Sequence, residues 1–172
     1  MDIIQISLWL GKHLSLSSGH KIARFAGSTI ALAQHSNLMM AIKANQWVAS
    51  GQSLDKKGLA QRAKRVMQND VSALFDFFYF YHRVEECEQL LRFSPQFQEM
   101  LAEGRDQHRA QILVGPHMGE FDLMGLMIVK LGLPLVVLTY PNPNGTYKTQ
   151  NKIREDAGMR ILPISLGAFR EA

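Results

Sequence analysis

Leu135-Val136-Val137-Leu138-Thr139-Tyr140-Pro141-Asn142-Pro143-Asn144-Gly145-Thr146 is a short apolar run that ends on two prolines and a glycine. Four apolar residues bounded by turn formers read as a buried strand over 135–138. The prolines remove backbone donors, so residues 140–145 are neither helix nor central strand and form a loop. Arg160-Ile161-Leu162-Pro163-Ile164 repeats the strand pattern downstream, and Ile112-Leu113-Val114 precedes it. Helical stretches of roughly 120–131 and 146–157 lie between these runs, with Asn144-Gly145-Thr146 as the second start and Gly158 as its stop. Strands alternating with helices need crossover connections, so the expected class is α/β with a partial parallel βαβαβ sheet.

The carboxyl edge of such a sheet is where open parallel sheets place their ligands. Two segments reach it: the 140–145 loop, and Val114-Gly115-Pro116-His117-Met118-Gly119-Glu120-Phe121-Asp122. With His117 at the strand exit and Asp122 in the first helical turn, the carboxylate can hold one ring nitrogen while the other faces a substrate. That is the geometry of an oriented general base. Gly119 leaves room for close backbone approach, and Glu120 and Asp122 suit the positive end of a helix. A histidine and an aspartate at this spacing also occur by chance as surface or capping residues, so the neighbours carry the argument.

The string His117-Met118-Gly119-Glu120-Phe121-Asp122 resembles the His-x4-Asp/Glu motif of the lysophospholipid acyltransferase superfamily. Within it the nearest pattern is that of the lipid A biosynthesis (lauroyl/myristoyl) acyltransferases, His-x-Gly-x-Trp-Glu/Asp, with Phe121 where Trp is commoner. Members of that family typically show Asn-Pro after the second strand and Asn-x-x-Arg-x-x-x-Gly before the third. The chain has Asn142-Pro143, then Asn151-Lys152-Ile153-Arg154-Glu155-Asp156-Ala157-Gly158. It departs from the pattern at Thr139-Tyr140-Pro141, where many lipid A enzymes carry an arginine.

The resemblance implies a sheet of the glycerolipid acyltransferase type. It also implies transfer of a fatty acyl group from a thioester to a hydroxyl of a glycolipid or phospholipid, of the lipid A or phosphatidylinositol-mannoside kind. The donor would be acyl carrier protein or coenzyme A acting as co-substrate, with no bound cofactor. His117 and Asp122 would be catalytic, and Gly119, Glu120, Asn142, Asn151 and Arg154 would bind substrate. An arginine fork suits a phosphate or a phosphopantetheine; the plainer alternative for Arg154 is a solvated ion pair on its own helix. Implied too is a place on the cytoplasmic face of a bacterial inner membrane, peripheral or amino-terminally anchored.

Residues 1–88 form a different region, helical in period and without a convincing strand. The run around 25–40 is broken by Gln34, His35, Ser36 and Asn37, short of the roughly twenty apolar residues of a membrane span. Trp9, Phe25 and Trp47, with Lys12, Lys21, Arg24 and Lys43, suit an interfacial anchor; an ordinary amphipathic subdomain fits equally well. The strongest helix covers about 54–82, with Ser53 as N-cap and Asp55 in the first turn. Its stripe includes Leu59, Ala63, Val66, Met67, Leu74, Phe77, Phe78 and Tyr81. Phe75, Tyr79 and Phe80 widen it, so that end is either enclosed by protein or touches acyl chains. Lys56, Lys57, Arg62, Lys64 and Arg65 form a solvated face or a phospholipid-facing patch.

Residues 89–172 are read as the amino-terminal part of an α/β acyltransferase domain. A connector helix there begins at Ser94-Pro95 and stops near Gly104. The chain has 172 residues, 47% hydrophobic, which suffices for a real core. Three strands by Ile164 fall short of the family plan, so the expectation is a truncated domain. A single cysteine, Cys87, cannot form an intrachain disulfide, and the scattered histidines lack metal-ligand spacing, so no metal is expected. A net charge of +4 suits an anionic membrane surface without requiring nucleic acid, for which no motif is present. A non-catalytic lipid-binding protein on the same scaffold is the second reading. A Ser/His hydrolase is weaker, because no placed serine nucleophile is evident.

Overall fold

The computed structural model describes residues 3–106, 112, 120–143 and 145–171. Its elements are α1 (Ile3–His13), α2 (Leu16–Ile30), α3 (Asn37–Ala49), α4 (Lys56–Tyr81), α5 (Val84–Leu90), α6 (Pro95–Asp106), α7 (Phe121–Lys130), β1 (Val136–Thr139), α8 (Gly145–Asp156), β2 (Arg160–Pro163) and α9 (Leu166–Glu171). They divide into two compact units, Ser7–Tyr79 and the remainder, with the boundary inside α4.

The first unit is all helix. Ser15 and Ser36 accept from the backbone amides of Ser18 and Met39 and so start α2 and α3. Asp55, not Ser53, caps α4. Its carboxylate accepts from Gly58 N at 2.7 Å, whereas the Ser53 hydroxyl donates back to Ser50 O at 2.7 Å. A carboxylate one residue before the helix reaches the first free amides directly, which the serine two residues further out does not.

Gly11, Gly19, Ala23, Gly27 and Ala31 recur at four- or eight-residue spacing and are all buried. A Cβ at Gly11 would lie 2.7 Å from the Phe78 carbonyl, and one at Gly27 would lie 2.6 Å from Met67 O. A Cβ at Gly19 would strike the Phe75 ring. The order of these partners makes the α1–α2 segment antiparallel to α4, backbone nearly against backbone. Beside this seam, Ala31, Met39, Ala63 and Met67 form a core joined by Ile42 and Val71. Phe75, Phe77, Phe78 and Phe80 are buried, so the aromatic end of α4 is enclosed by protein. Lys56, Lys57, Arg62, Lys64 and Arg65 are all exposed.

The second unit carries the sheet. β1 and β2 pair in parallel, Val136 opposite Arg160 through Thr139 opposite Pro163, with α8 as the crossover that packs on β2. Both strands lie within one residue of the expected runs, and the pairing is the parallel one. Of the run Ile112-Leu113-Val114 only Ile112 is described; it is exposed and in no regular element, and the rest lies outside the described residues. The described sheet therefore has two strands. Gly132 and Gly158 adopt φ of +86° and +98° and close α7 and α8. In each case the next residue's amide turns back into the helix, Leu133 N to Ile128 O and Met159 N to Arg154 O, the double reversal that a left-handed glycine permits. Gly104 does not stop α6, which continues to Asp106. Its φ stays negative, and a glycine inside a helix costs only about 1 kcal/mol. Ser94 caps that helix as expected, accepting from Phe97 N at 3.2 Å.

Candidate functional site

Asp122 occupies the first turn of α7, where the helix dipole favours a carboxylate. Its partner is Arg154, 32 residues later in the last turn of α8. Arg154 donates to Asp122 Oδ1 from Nε at 2.9 Å and from Nη2 at 2.7 Å. The third bond of the guanidinium, from Nη1, goes to Asn151 Oδ1 at 3.0 Å. Asn151 Nδ2 in turn donates to Thr139 Oγ1 at 3.1 Å, at the carboxyl end of β1. Thr139, Asn151 and Arg154 are buried, and the Asp122 side chain is 22% exposed. Buried polar groups must be partnered, and this chain of four side chains satisfies them while joining α7, α8 and β1.

The other expected site residues fall as follows. His117 and Gly119 lie outside the described residues. Glu120 is the N-cap residue of α7 without a side-chain capping bond and is exposed. Its charge adds to the effect of burial in pushing the Cys87 thiol above its ordinary value, which leaves that cysteine protonated and unreactive at neutral pH. Asn142 is exposed in the loop after β1. Asn151 and Arg154 come together with Asp122, although Arg154 does so by a buried bond to another helix and not by a solvated pair on its own. Thr139 joins them unforeseen; the readable signal was a hydroxyl at a strand end facing a helix whose Asn151 and Arg154 share one side.

A groove of about 470 Å³ opens beside this network, with Thr139 and Asn151 in its wall. Pro141 and Pro143 of the loop, Ile161 of β2, and Lys148 and Lys152 of α8 complete much of its lining. It lies at the carboxyl edge of the strands, where the 140–145 loop was expected.

Compared with known proteins, the chain matches no family model, no curated protein and no solved structure.

A histidine–aspartate pair sits in the helical unit, where His20 Nε2 and Asp76 Oδ1 are 2.6 Å apart. They are 56 residues apart in the chain and tie α2 to α4 next to the Gly19–Phe75 approach, a pairing that no local pattern announces. Trp9, Phe25 and Trp47 of the same unit are exposed. Among the described residues no helix is long and apolar enough to cross a membrane.

Proposed function

We propose that the chain carries an acyl-transfer site, moving a fatty acyl group from a thioester of acyl carrier protein or coenzyme A to a hydroxyl of a glycolipid or phospholipid. The observation that supports this best is the Asp122–Arg154 bond. The two sequence blocks that bear the family resemblance, one ending at Asp122 and one spanning Asn151 to Gly158, meet at 2.7 Å despite their separation. Contact between the two blocks is what a shared site requires.

In this reading the parallel pair β1 and β2 belongs to a sheet of the glycerolipid acyltransferase type. His117 takes the proton of the acceptor hydroxyl as its oxygen attacks the thioester carbonyl. The tetrahedral intermediate collapses with loss of thiolate, and the imidazolium returns its proton to that sulfur. Asp122 orients the imidazole and stabilises its charged form. In the same reading, backbone amides near Gly119 stabilise the developing oxyanion. The exposed Trp9, Phe25 and Trp47 support a peripheral position at the cytoplasmic face of a bacterial inner membrane, where the lipid acceptor resides.

The test is ester formation from a radiolabelled acyl thioester and a glycolipid acceptor in mixed micelles, using protein expressed from its complete reading frame. His117→Ala should lower turnover by about 10²–10⁴-fold, the usual contribution of a general base, with circular dichroism unchanged. Turnover by that variant at the parent rate would falsify the assignment. Lipid binding by the parent protein without thioester consumption favours the non-catalytic lipid-binding alternative.

A further inference from the structure

We propose that Arg154, backed by Asn151 and Thr139, is a positioning residue for the Asp122 carboxylate and not a ligand for a substrate anion. The inference rests on the His117–Asp122 reading and departs from the phosphate-binding role that the resemblance implies for this arginine.

The geometry argues for it in three ways. First, the guanidinium is already engaged: Nε and Nη2 bind Asp122 Oδ1, Nη1 binds Asn151 Oδ1, and the side chain is only 10% exposed. An arginine that grips a phosphate presents its fork to the ligand, whereas this one presents it to the protein. Its charge is matched at 2.7 Å by a carboxylate, so little field remains for an incoming anion.

Second, both bonds to Asp122 fall on Oδ1, and no described residue bonds to Oδ2. A paired guanidinium–carboxylate contact usually engages both oxygens. A grip on one oxygen fixes the plane of the carboxylate and leaves the other free for a second donor, which is the arrangement an oriented imidazole requires.

Third, the arginine is itself braced. Asn151 stands one turn earlier on α8, and its amide is fixed by Thr139 of β1. The Arg154 carbonyl accepts from Met159 N in the reversal that ends α8, so backbone and side chain are both tied. A group that must follow a mobile substrate gains nothing from this bracing; a group that must hold another side chain still depends on it.

The experiment is ¹⁵N NMR of the histidine ring nitrogens in the complete protein, comparing the parent with Asp122→Asn, Arg154→Lys and Arg154→Met. Lysine keeps the charge and guards against loss of fold, but it lacks the planar fork. The expected result is that the His117 tautomer ratio moves toward that of free histidine in all three variants, least in Arg154→Lys. A shift in Asp122→Asn with none in either arginine variant overturns the positioning role while leaving the dyad intact. No shift in any variant overturns the dyad reading and the positioning role with it. Inorganic phosphate titrated into the parent protein supplies the other arm: the Arg154 Nε resonance should stay unmoved, and a saturable shift makes the arginine an anion ligand after all.

Discussion

The helical unit and the α/β unit join their helices by opposite means. In the first, α2 meets α4 across glycines, and the seam is defined by what is missing, since an added Cβ at Gly27 would lie 2.6 Å from Met67 O. In the second, α7 meets α8 through the Asp122–Arg154 bond, and the seam is defined by what is present. A seam of the first kind is sensitive to size and indifferent to charge. A seam of the second kind tolerates small changes of volume and fails when its chemistry changes. The two tryptophans, Trp9 and Trp47, lie in the helical unit, whereas Cys87 lies in the other, so each unit carries its own reporter.

Arg154→Met should give the largest loss. It removes the partner of a carboxylate that is only 22% exposed and frees Asn151 Oδ1 at the same time. The expected cost is about 3 kcal/mol, the low end of the range for breaking a buried pair because Asp122 keeps some access to water. Pulse alkylation of Cys87 against urea reads it, and the midpoint should fall by about 1 M or more. An unchanged midpoint would mean that packing of α7 on α8 carries this unit without the bond, and the contrast between the two seams would be lost.

Gly27→Ala comes second and tests the other seam. Alanine gains about 1 kcal/mol of helix propensity over glycine, but here its methyl meets Met67 O, Gln68 Cα and Gln68 N, all backbone atoms within 2.9 Å. Overpacking of that kind costs about 1–3 kcal/mol, and against backbone atoms the upper end applies, so after the propensity gain the net loss should be about 2 kcal/mol in a urea titration followed by tryptophan fluorescence. Gly125→Ala in α7 is the matched control. Its nearest neighbours would be the flexible tips of Leu135 and Met159 at 3.3 Å, which can move, so the propensity gain should leave that variant neutral or more stable. A stable Gly27→Ala would show that the seam can open, and that backbone proximity is not what joins α2 to α4.

What could be read from the residues follows the range of the forces involved. β1, β2 and the ends of α8 were legible because they depend on short runs: Val136 to Leu138 between breakers, and Gly158 at a left-handed turn. The parallel pairing followed from the crossover helix alone. Gly104 was misread because a glycine signals a stop only where the backbone reverses, and nothing adjacent to it forces that. Asp122 and Arg154 were both singled out, yet their bond was not, since it depends on how two helices separated by β1 and a loop come to rest. Thr139 was seen only as a departure from the family pattern, and its bond to Asn151 gives it a use of its own. The His20–Asp76 pair lay beyond reach for the same reason, with 56 residues between its members.

The smallest effect belongs to the start of α4, where sequence and structure assign the cap to different residues. Asp55→Ala removes the acceptor of Gly58 N, a 2.7 Å bond at an exposed helix start, and should cost about 1 kcal/mol by the same fluorescence titration. Ser53→Ala should cost a few tenths at most, because its hydroxyl donates to Ser50 O in the preceding turn and satisfies no helix amide. The order of the two variants is the informative quantity. If Ser53→Ala proved the more harmful, the turn at 50–53 and not the carboxylate would be setting where α4 begins. The glycine approaches at Phe75 and Phe78, one to two dozen residues further on, would then depend on a loop and not on a cap.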